Sequence, residues 1–486
     1  MRKALAIFLS LIIICAGCMC YAHVSIVNDR DKVTFEENIL LGDALDIEGV
    51  TVNINATANG QLNWNTTYIA GQNPTVKTDY NFTAQPTPRE YIIENSFNLD
   101  NYLDVTYNDY SDPAVKALEQ AYLDLAADTA PGTENSRDFL LADYIDYYPI
   151  NAYISLPDGG YHHSTGTTMI LSSASGEMEE GYELQGLRDF LKIPVLPDHS
   201  ENFTIYKSPD GNISTVGHGT SDTGDHYDLW GQGAFTDDAI YFSISTETTK
   251  GNHVDTSQIP GGYGLYKLPY SIYENGSSEL HDDQIEMVYP LEITSYVRYL
   301  EIDTTGENLL MFTKEKDGAY MTVIRIETME TLQKLKLSDD TEYGGFSLPI
   351  IYDDFMVVTV YEKAAEYTEM RAVLTPAGDG TYELQFKVPL VSEDLEDTYK
   401  YFWRSNSDHY DWNGKQLIMC SPLNQEIGYT TQTPGFCLAV YDASGITYFA
   451  TYDSSLNTGG STGNYNQDVT LLDNSEKEGP LKVSWM

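Results

Sequence analysis

The chain has 486 residues, 42% of them hydrophobic, enough for several domains or for one large β-domain with an attached module. Asp and Glu number 73 against 27 Lys and Arg, a formal charge of −46. A field of that sign repels nucleic acid and anionic lipid head groups, which argues against both as partners and leaves neutral or cation-rich ones.

The acids are scattered among Tyr, Val, Ile and Leu instead of forming blocks, so the charge does not mark disorder. The N-terminus reads as an export signal over residues 1–22. Arg2 and Lys3 form its positive end, and residues 4–14 are an apolar stretch too short to span a bilayer. Two cleavage sites compete. Cys20-Tyr21-Ala22 would leave His23 first, whereas Ala16-Gly17-Cys18 resembles a bacterial lipobox that would make Cys18 the lipidated first residue. Cys15 stands there in place of the usual aliphatic residue. Either way the expected product is exported and bacterial, secreted or tethered outside the cell membrane. Six N-x-S/T triplets (at Asn55, Asn65, Asn81, Asn202, Asn212 and Asn275) read as by-products of a chain rich in Asn, Ser and Thr.

Residues 23–148 are expected to form an N-terminal β-hairpin/helix module. In "GVTVNINATANGQLNWNTTYI" (49–69), Val50, Val52, Ile54 and Ala56 alternate with polar residues. Asn59-Gly60 then turns the chain, and Leu62, Trp64, Thr66 and Tyr68 alternate back. "SDPAVKALEQAYLDLAADTAPG" (111–132) predicts a helix over 112–127. Asp112 would cap it, Pro113 suits its first turn, and Val115, Leu118, Tyr122 and Leu125 make one apolar stripe. A second helix is expected over 137–147.

Beyond residue 148 the rhythm changes to short strands with turn signals. The stretches 263–291, 320–337, 370–390 and 436–452 each read strand, turn, strand. Each is preceded by one more apolar strand, at 237–245, 306–314, 353–361 and 414–422. The inner members of these units recur near Leu265, Val323, Ala372 and Leu438. Four-stranded units at such spacing are the signature of propeller blades. The stretch resembles an extracytoplasmic β-propeller of the broad WD-repeat and quinoprotein-like type. The resemblance rests on strand rhythm, because the Trp-Asp and Gly-His pairs of true WD repeats are missing from their places, and it implies a fold without a family function. The expected fold is therefore all-β, a β-propeller of five to seven blades over residues 149–486. A large β-sandwich is the structural alternative.

"DHYDLW" (225–230) and "DHYDW" (408–412) repeat a word of carboxylate, imidazole and phenol beside a Trp. Counted from the apolar strand of its own unit, the second word sits seven residues closer than the first, so the two are not one blade position. His226, Trp230, His409 and Trp412 are the candidate ligand contacts, since an aromatic face beside carboxylates suits a sugar ring. Asp222, Asp225 and Asp228, with His226, could offer oxygens and an imidazole to a divalent cation, calcium being the fitting one; no other cofactor is expected. Asp222-Thr223-Gly224 occurs once, whereas pepsin-like chemistry needs two such triplets. There is no H-E-x-x-H, G-x-S-x-G, Walker loop or paired C-x-x-C, so no catalytic residue is assigned. Cys420 and Cys437, at facing ends of adjacent predicted strands with 16 residues between them, could form a disulfide worth about 3 kcal/mol.

The function expected is a non-catalytic, cell-surface propeller that binds an extracellular protein or glycan as a monomer and meets the membrane only through an N-terminal lipid. The rival is a carbohydrate-active hydrolase using two carboxylates in a propeller funnel.

Overall fold

The computed structural model describes residues 12–20, 32–58, 62–82, 96–101, 113–156, 161–164, 184–220, 225–248, 253–273, 278–341, 345–363, 367–391, 408–423, 435–456, 469–471 and 481–485. The chain folds into two compact units. One comprises residues 1–92, 368–373 and 384–486, and the other residues 93–367 and 374–383. No described helix is long and apolar enough to cross a membrane. The chain is all-β, and its sheets are antiparallel meanders of the β-propeller type.

In the first unit, β1 (Phe35–Leu41) is followed by β2 (Thr51–Ala58), β3 (Leu62–Ile69) and β4 (Thr75–Phe82). The expected hairpin is β2–β3, paired from Thr51↔Ile69 to Ala58↔Leu62, with its turn outside the described residues. Val52, Ile54 and Ala56 face inward opposite Tyr68, Thr66 and Trp64, and all six are buried. The odd-numbered residues take the other face by the two-residue period of a strand. That alternation also accounts for two of the N-x-T triplets. Asn55 and Thr57, and Asn65 and Thr67, are polar positions of one face separated by an inward residue.

A second sheet of this unit runs His409–Trp412, Leu417–Pro422, Phe436–Asp442, Gly445–Ser454 and then β1, brought from the opposite end of the chain. Phe35 pairs with Ser454 and Leu41 with Phe449. The free edge of β2 is likewise covered by Val469–Leu471 and Leu481–Ser484. A boundary at residue 148 therefore does not describe the packing, because residues 35–82 share sheets and core with residues 409–484. That core joins Val50, Val52, Ile54 and Tyr68 to Ile418, Phe436, Leu438, Tyr452, Leu481 and Val483. Phe436 stacks on Tyr452 at 4.5 Å between ring centroids. The Tyr448 and Tyr452 hydroxyls donate to Glu37 Oε1 at 3.2 and 2.8 Å, which fastens β1 to its partner.

Cys420 and Cys437 lie on neighbouring strands as expected, but both are free thiols. The register is the reason. Cys420 faces Leu438, and Cys437 faces Ser421, so the two sulfurs leave opposite faces of the sheet. Burial pushes both thiols well above their ordinary range, which makes them small inert hydrophobes. Both should resist thiol reagents in the native protein, and both should titrate once it is denatured without reductant. A count lacking these two thiols would contradict the register.

In the second unit, one sheet runs Ser278–Leu280, Gly264–Ile272, Ala239–Thr248, Tyr227–Phe235, Ser96–Asp100, Asn151–Ser155 and Tyr161–Ser164. A separate meander is Tyr296–Ile302, Asn308–Glu315, Gly318–Arg325 and Glu330–Ser338. The strand rhythm is as expected: Leu265, Val323, Ala372 and Leu438 each sit on a strand and each is fully buried. The helix is Pro113–Asp128, with Leu118, Tyr122 and Leu125 buried. The second expected helix is absent. Glu134–Leu140 is a strand paired with Ser200–Lys207, and only a 3-10 turn, Leu141–Asp143, follows it. Phe139, 5.3 Å from Phe203, anchors the pairing, and tertiary packing overrides a weak helical preference.

Candidate functional site

The two words begin the first strand of their meanders, Tyr227–Phe235 and His409–Trp412. Their turn-ward pairs are Phe235↔Ile240 and Trp412↔Leu417. Aligned on these, Asp408 falls level with Gly231 and not with Asp225, so the words share a strand but not a position in it.

In the first unit, strand alternation sends His409 and Asp411 to one side of their strand. His409 Nδ1 accepts the Val483 N–H at 3.2 Å, and Asp411 Oδ2 accepts the Trp485 N–H at 2.6 Å. Two side chains two residues apart thus take two backbone donors two residues apart, and the word clasps the C-terminal strand. The His409 bond requires an unprotonated Nδ1. Burial, and then the charge of Lys482, hold this imidazole below its ordinary pKa, with Asp411 opposing. A depressed imidazole pKa adds nothing to stability while both states are neutral. Below about pH 6.5 the unfolded chain takes up the proton first. Stability should therefore decline as pH falls through that value and level off below the folded pKa. His409→Gln, which keeps an acceptor, should flatten this slope in urea unfolding across the range.

On the other side lie Asp408 and Tyr410. Tyr410 donates to Asp408 Oδ2 at 3.2 Å, and the Arg371 guanidinium stands 4.0 Å from Asp408 and 3.5 Å from Glu369. Arg371 is 5% exposed. Burial raises the Asp408 carboxyl above its usual range, against the pull of Arg371. The Trp412 ring packs at 5.7 Å against Phe386. This is a largely buried ionic junction.

In the second unit, the strand carrying the first word receives Ser96–Asp100 at very close range. A Cβ on Gly231 would lie 2.6 Å from Leu99 Cβ, and one on Gly233 would lie 2.7 Å from Phe97 Cβ. The two glycines of "WGQG" thus let Trp230 pair with Asp100. Asn101 completes the docking, donating to the Tyr227 carbonyl at 2.9 Å and accepting from the Leu229 N–H at 3.2 Å. Beside Asp225 and Tyr227, both buried, runs a relay absent from the sequence reading. Tyr148 Oη is 2.7 Å from His199 Nδ1, and His199 Nε2 is 2.7 Å from Glu201 Oε1. The His226 ring lies 5.9 Å from that of His199. Burial and the nearby Glu201 and Asp225 charges push the Tyr148 phenol up, despite the Leu196 N–H that bonds it. Such a relay can share a proton. With both ring nitrogens of His199 engaged and Tyr148 buried, it presents neither a nucleophile nor a metal ligand to solvent.

Trp230 lies under Arg298, whose guanidinium carbon is 5.4 Å from the ring centroid. Of the expected cation ligands, Asp225 is buried, while Asp222 and the side chain of Asp228 lie outside the described residues. Among the described residues, no group of three His, Cys, Asp or Glu side chains is placed to hold a metal ion.

No family model and no curated protein matches this chain. The solved structures that it resembles include several remote likenesses. The Swd1 β-propeller domain of Myceliophteria thermophila is 10% identical over 66% of this chain and 86% of its own, with a TM-score of 0.25. The periplasmic gluconolactonase of Pseudomonas aeruginosa is 12% identical over 62% and 78%, with a TM-score of 0.25. A putative 6-phosphogluconolactonase from Bacteroides fragilis is 12% identical over 82% and 94%, with a TM-score of 0.28. Likenesses this remote carry no inference about activity, and the architecture rests on the chain's own strand order.

The relay could have been suspected from "DHSE" (198–201), where His199 and Glu201 stand two apart and so share a strand face. Arg371 could have been suspected as a lone cation opening the apolar run of "RAVL" (371–374).

Proposed function

We propose that this chain is an exported or lipid-anchored binding protein of the cell surface, which holds an extracellular protein or glycan without transforming it. The observation that supports this reading is where the acid–base groups are spent. His409 and Asp411 tie down Val483 and Trp485, Asp408 meets Arg371 and Tyr410, and Glu201 meets His199. Groups that could serve as acid and base instead hold sheets and strands in place. The formal charge of −46 disfavours nucleic acid and anionic surfaces as the partner.

Incubating the purified protein with a glycan array and with a panel of glycosidase substrates tests the reading. Binding without turnover is expected. Hydrolysis of any glycan would replace it with the carbohydrate-hydrolase alternative, in which two carboxylates flank a sugar bond. The anchoring part is tested separately. Cys18→Ser should move the protein from the membrane fraction to the medium if Cys18 carries lipid, and should change nothing if His23 is the first mature residue.

A further inference from the structure

We infer that Asn413 is a site of spontaneous covalent conversion, in which its side-chain amide is displaced by the Gly414 nitrogen, leaving aspartate or isoaspartate in the turn. The inference concerns the chain's own chemistry and is independent of the binding role proposed above.

Asn-Gly occurs three times, at 59–60, 275–276 and 413–414, and the first two pairs lie outside the described residues. Asn413 and Gly414 are exposed in the turn between His409–Trp412 and Leu417–Pro422, which the pair Trp412↔Leu417 closes. The amide is held in a defined orientation. Asn413 Oδ1 accepts the Lys415 N–H at 3.0 Å and the Gln416 N–H at 2.8 Å. The Asn413 N–H is itself donated to the Gln416 carbonyl at 3.2 Å. Among the described residues, nothing accepts a hydrogen bond from Asn413 Nδ2 or from the Gly414 N–H. Gly414 has a φ of 90°, and nothing lies within 4 Å of where a Cβ would stand, so its nitrogen is unhindered.

These positions suit ring closure. Base removes the Gly414 amide proton, and the nitrogen attacks Asn413 Cγ to form a five-membered ring. The carbonyl electron pair moves onto Oδ1, where two backbone donors already point at the developing charge. Oδ1 then regains its double bond, the Cγ–Nδ2 bond breaks, and Nδ2 takes a proton and leaves as ammonia. Water opens the resulting succinimide at either carbonyl. The sum is amide plus water giving carboxylate plus ammonium, with no redox change and one more negative charge. Opening at one carbonyl gives aspartate, whose carboxylate keeps the same two donors in charge-assisted bonds. Opening at the other gives isoaspartate, which puts one more carbon into the backbone between Trp412 and Leu417 and misfits the turn that pairs them.

The test is incubation of the full-length protein at mildly alkaline pH, folded and in urea, followed by peptide mass mapping. The peptide holding Asn413 should gain the mass difference between a hydroxyl and an amino group. Part of it should carry isoaspartate, read by labelling with a protein-isoaspartate methyltransferase. Conversion should run about tenfold faster in the folded protein than in urea, the effect of one hydrogen bond gained in the transition state. Gly414→Ala should slow it, although alanine is strained at this φ, and the wild-type comparison stands without that variant. Asn413→Asp should melt together with the wild type, because it keeps both donors. Conversion no faster in the folded protein than in urea, or confined to the peptides holding Asn59 and Asn275, overturns the inference. So does conversion that Gly414→Ala leaves unchanged.

Discussion

Arg371→Met is expected to destabilise the chain by about 3–5 kcal/mol, the cost of stranding buried charge when one partner of an ion pair is removed. Arg371 answers two carboxylates, Glu369 and Asp408, and all three side chains are largely withdrawn from water. Burial already raises the Asp408 carboxyl, and without the guanidinium only the hydrogen bonds of Ser421 and Tyr410 oppose that rise. A carboxyl whose folded pKa lies above its unfolded value destabilises at high pH and ceases to do so once protonated. The deficit of the variant should therefore shrink as pH is lowered toward the carboxylate range. Adding Asp408→Asn to Arg371→Met should recover part of the loss at neutral pH. Urea unfolding of wild type, single and double variants at two pH values measures all of this, and a single variant as stable as wild type would show the junction to be solvated.

Ending the chain after residue 480 is expected to cost roughly 3–6 kcal/mol, from the burial of two aliphatic side chains. Leu481 and Val483 are fully buried in the core shared with β2, and their strand covers the β2 edge from Thr51 to Ile54. Its loss also empties His409 and Asp411 of their backbone donors. The damage should therefore appear far away in sequence. Limited proteolysis should find the β2–β3 hairpin newly cleavable, whereas the meander 296–338 in the other unit should keep its protection. Cleavage confined to the new C-terminus would mean that this strand is dispensable.

Elements with a strong period are legible in the sequence. The alternation in residues 50–68 gave the hairpin and its inward face, and the spacing of Leu265, Val323, Ala372 and Leu438 gave four buried strands. The helix followed from Pro113 and the stripe Leu118, Tyr122 and Leu125. What a period does not name is the partner. Nothing in "FEENILL" (35–41) points to residues 449–454, because a strand's pattern reports its faces and leaves its edges unspecified. The strand that replaced the expected helix near residue 139 was decided in the same way, by a neighbour.

Of the candidate site, the two words proved worth singling out, for reasons their composition concealed. An Asp, a His and a Tyr in a row suggest a ligand surface when placed on a loop. Placed at the start of a strand, they divide between its two sides, and in residues 408–411 each side serves the packing. The cysteines failed by one residue of register, enough to invert a side chain.

The pairing of β1 with Gly445–Ser454, and of β2 with Leu481–Ser484, also bears on the order in which the molecule can form. β1 and β2 are made long before these partners. Neither of these two sheets can close until residues 445–484 have emerged, and contacts of such sequence separation form slowly. During synthesis β1 and β2 remain without those partners, directly behind the segment that reads as an export signal. Were the chain exported unfolded, as proposed above, the late arrival of residues 445–484 would postpone closure of these sheets until those residues had also crossed.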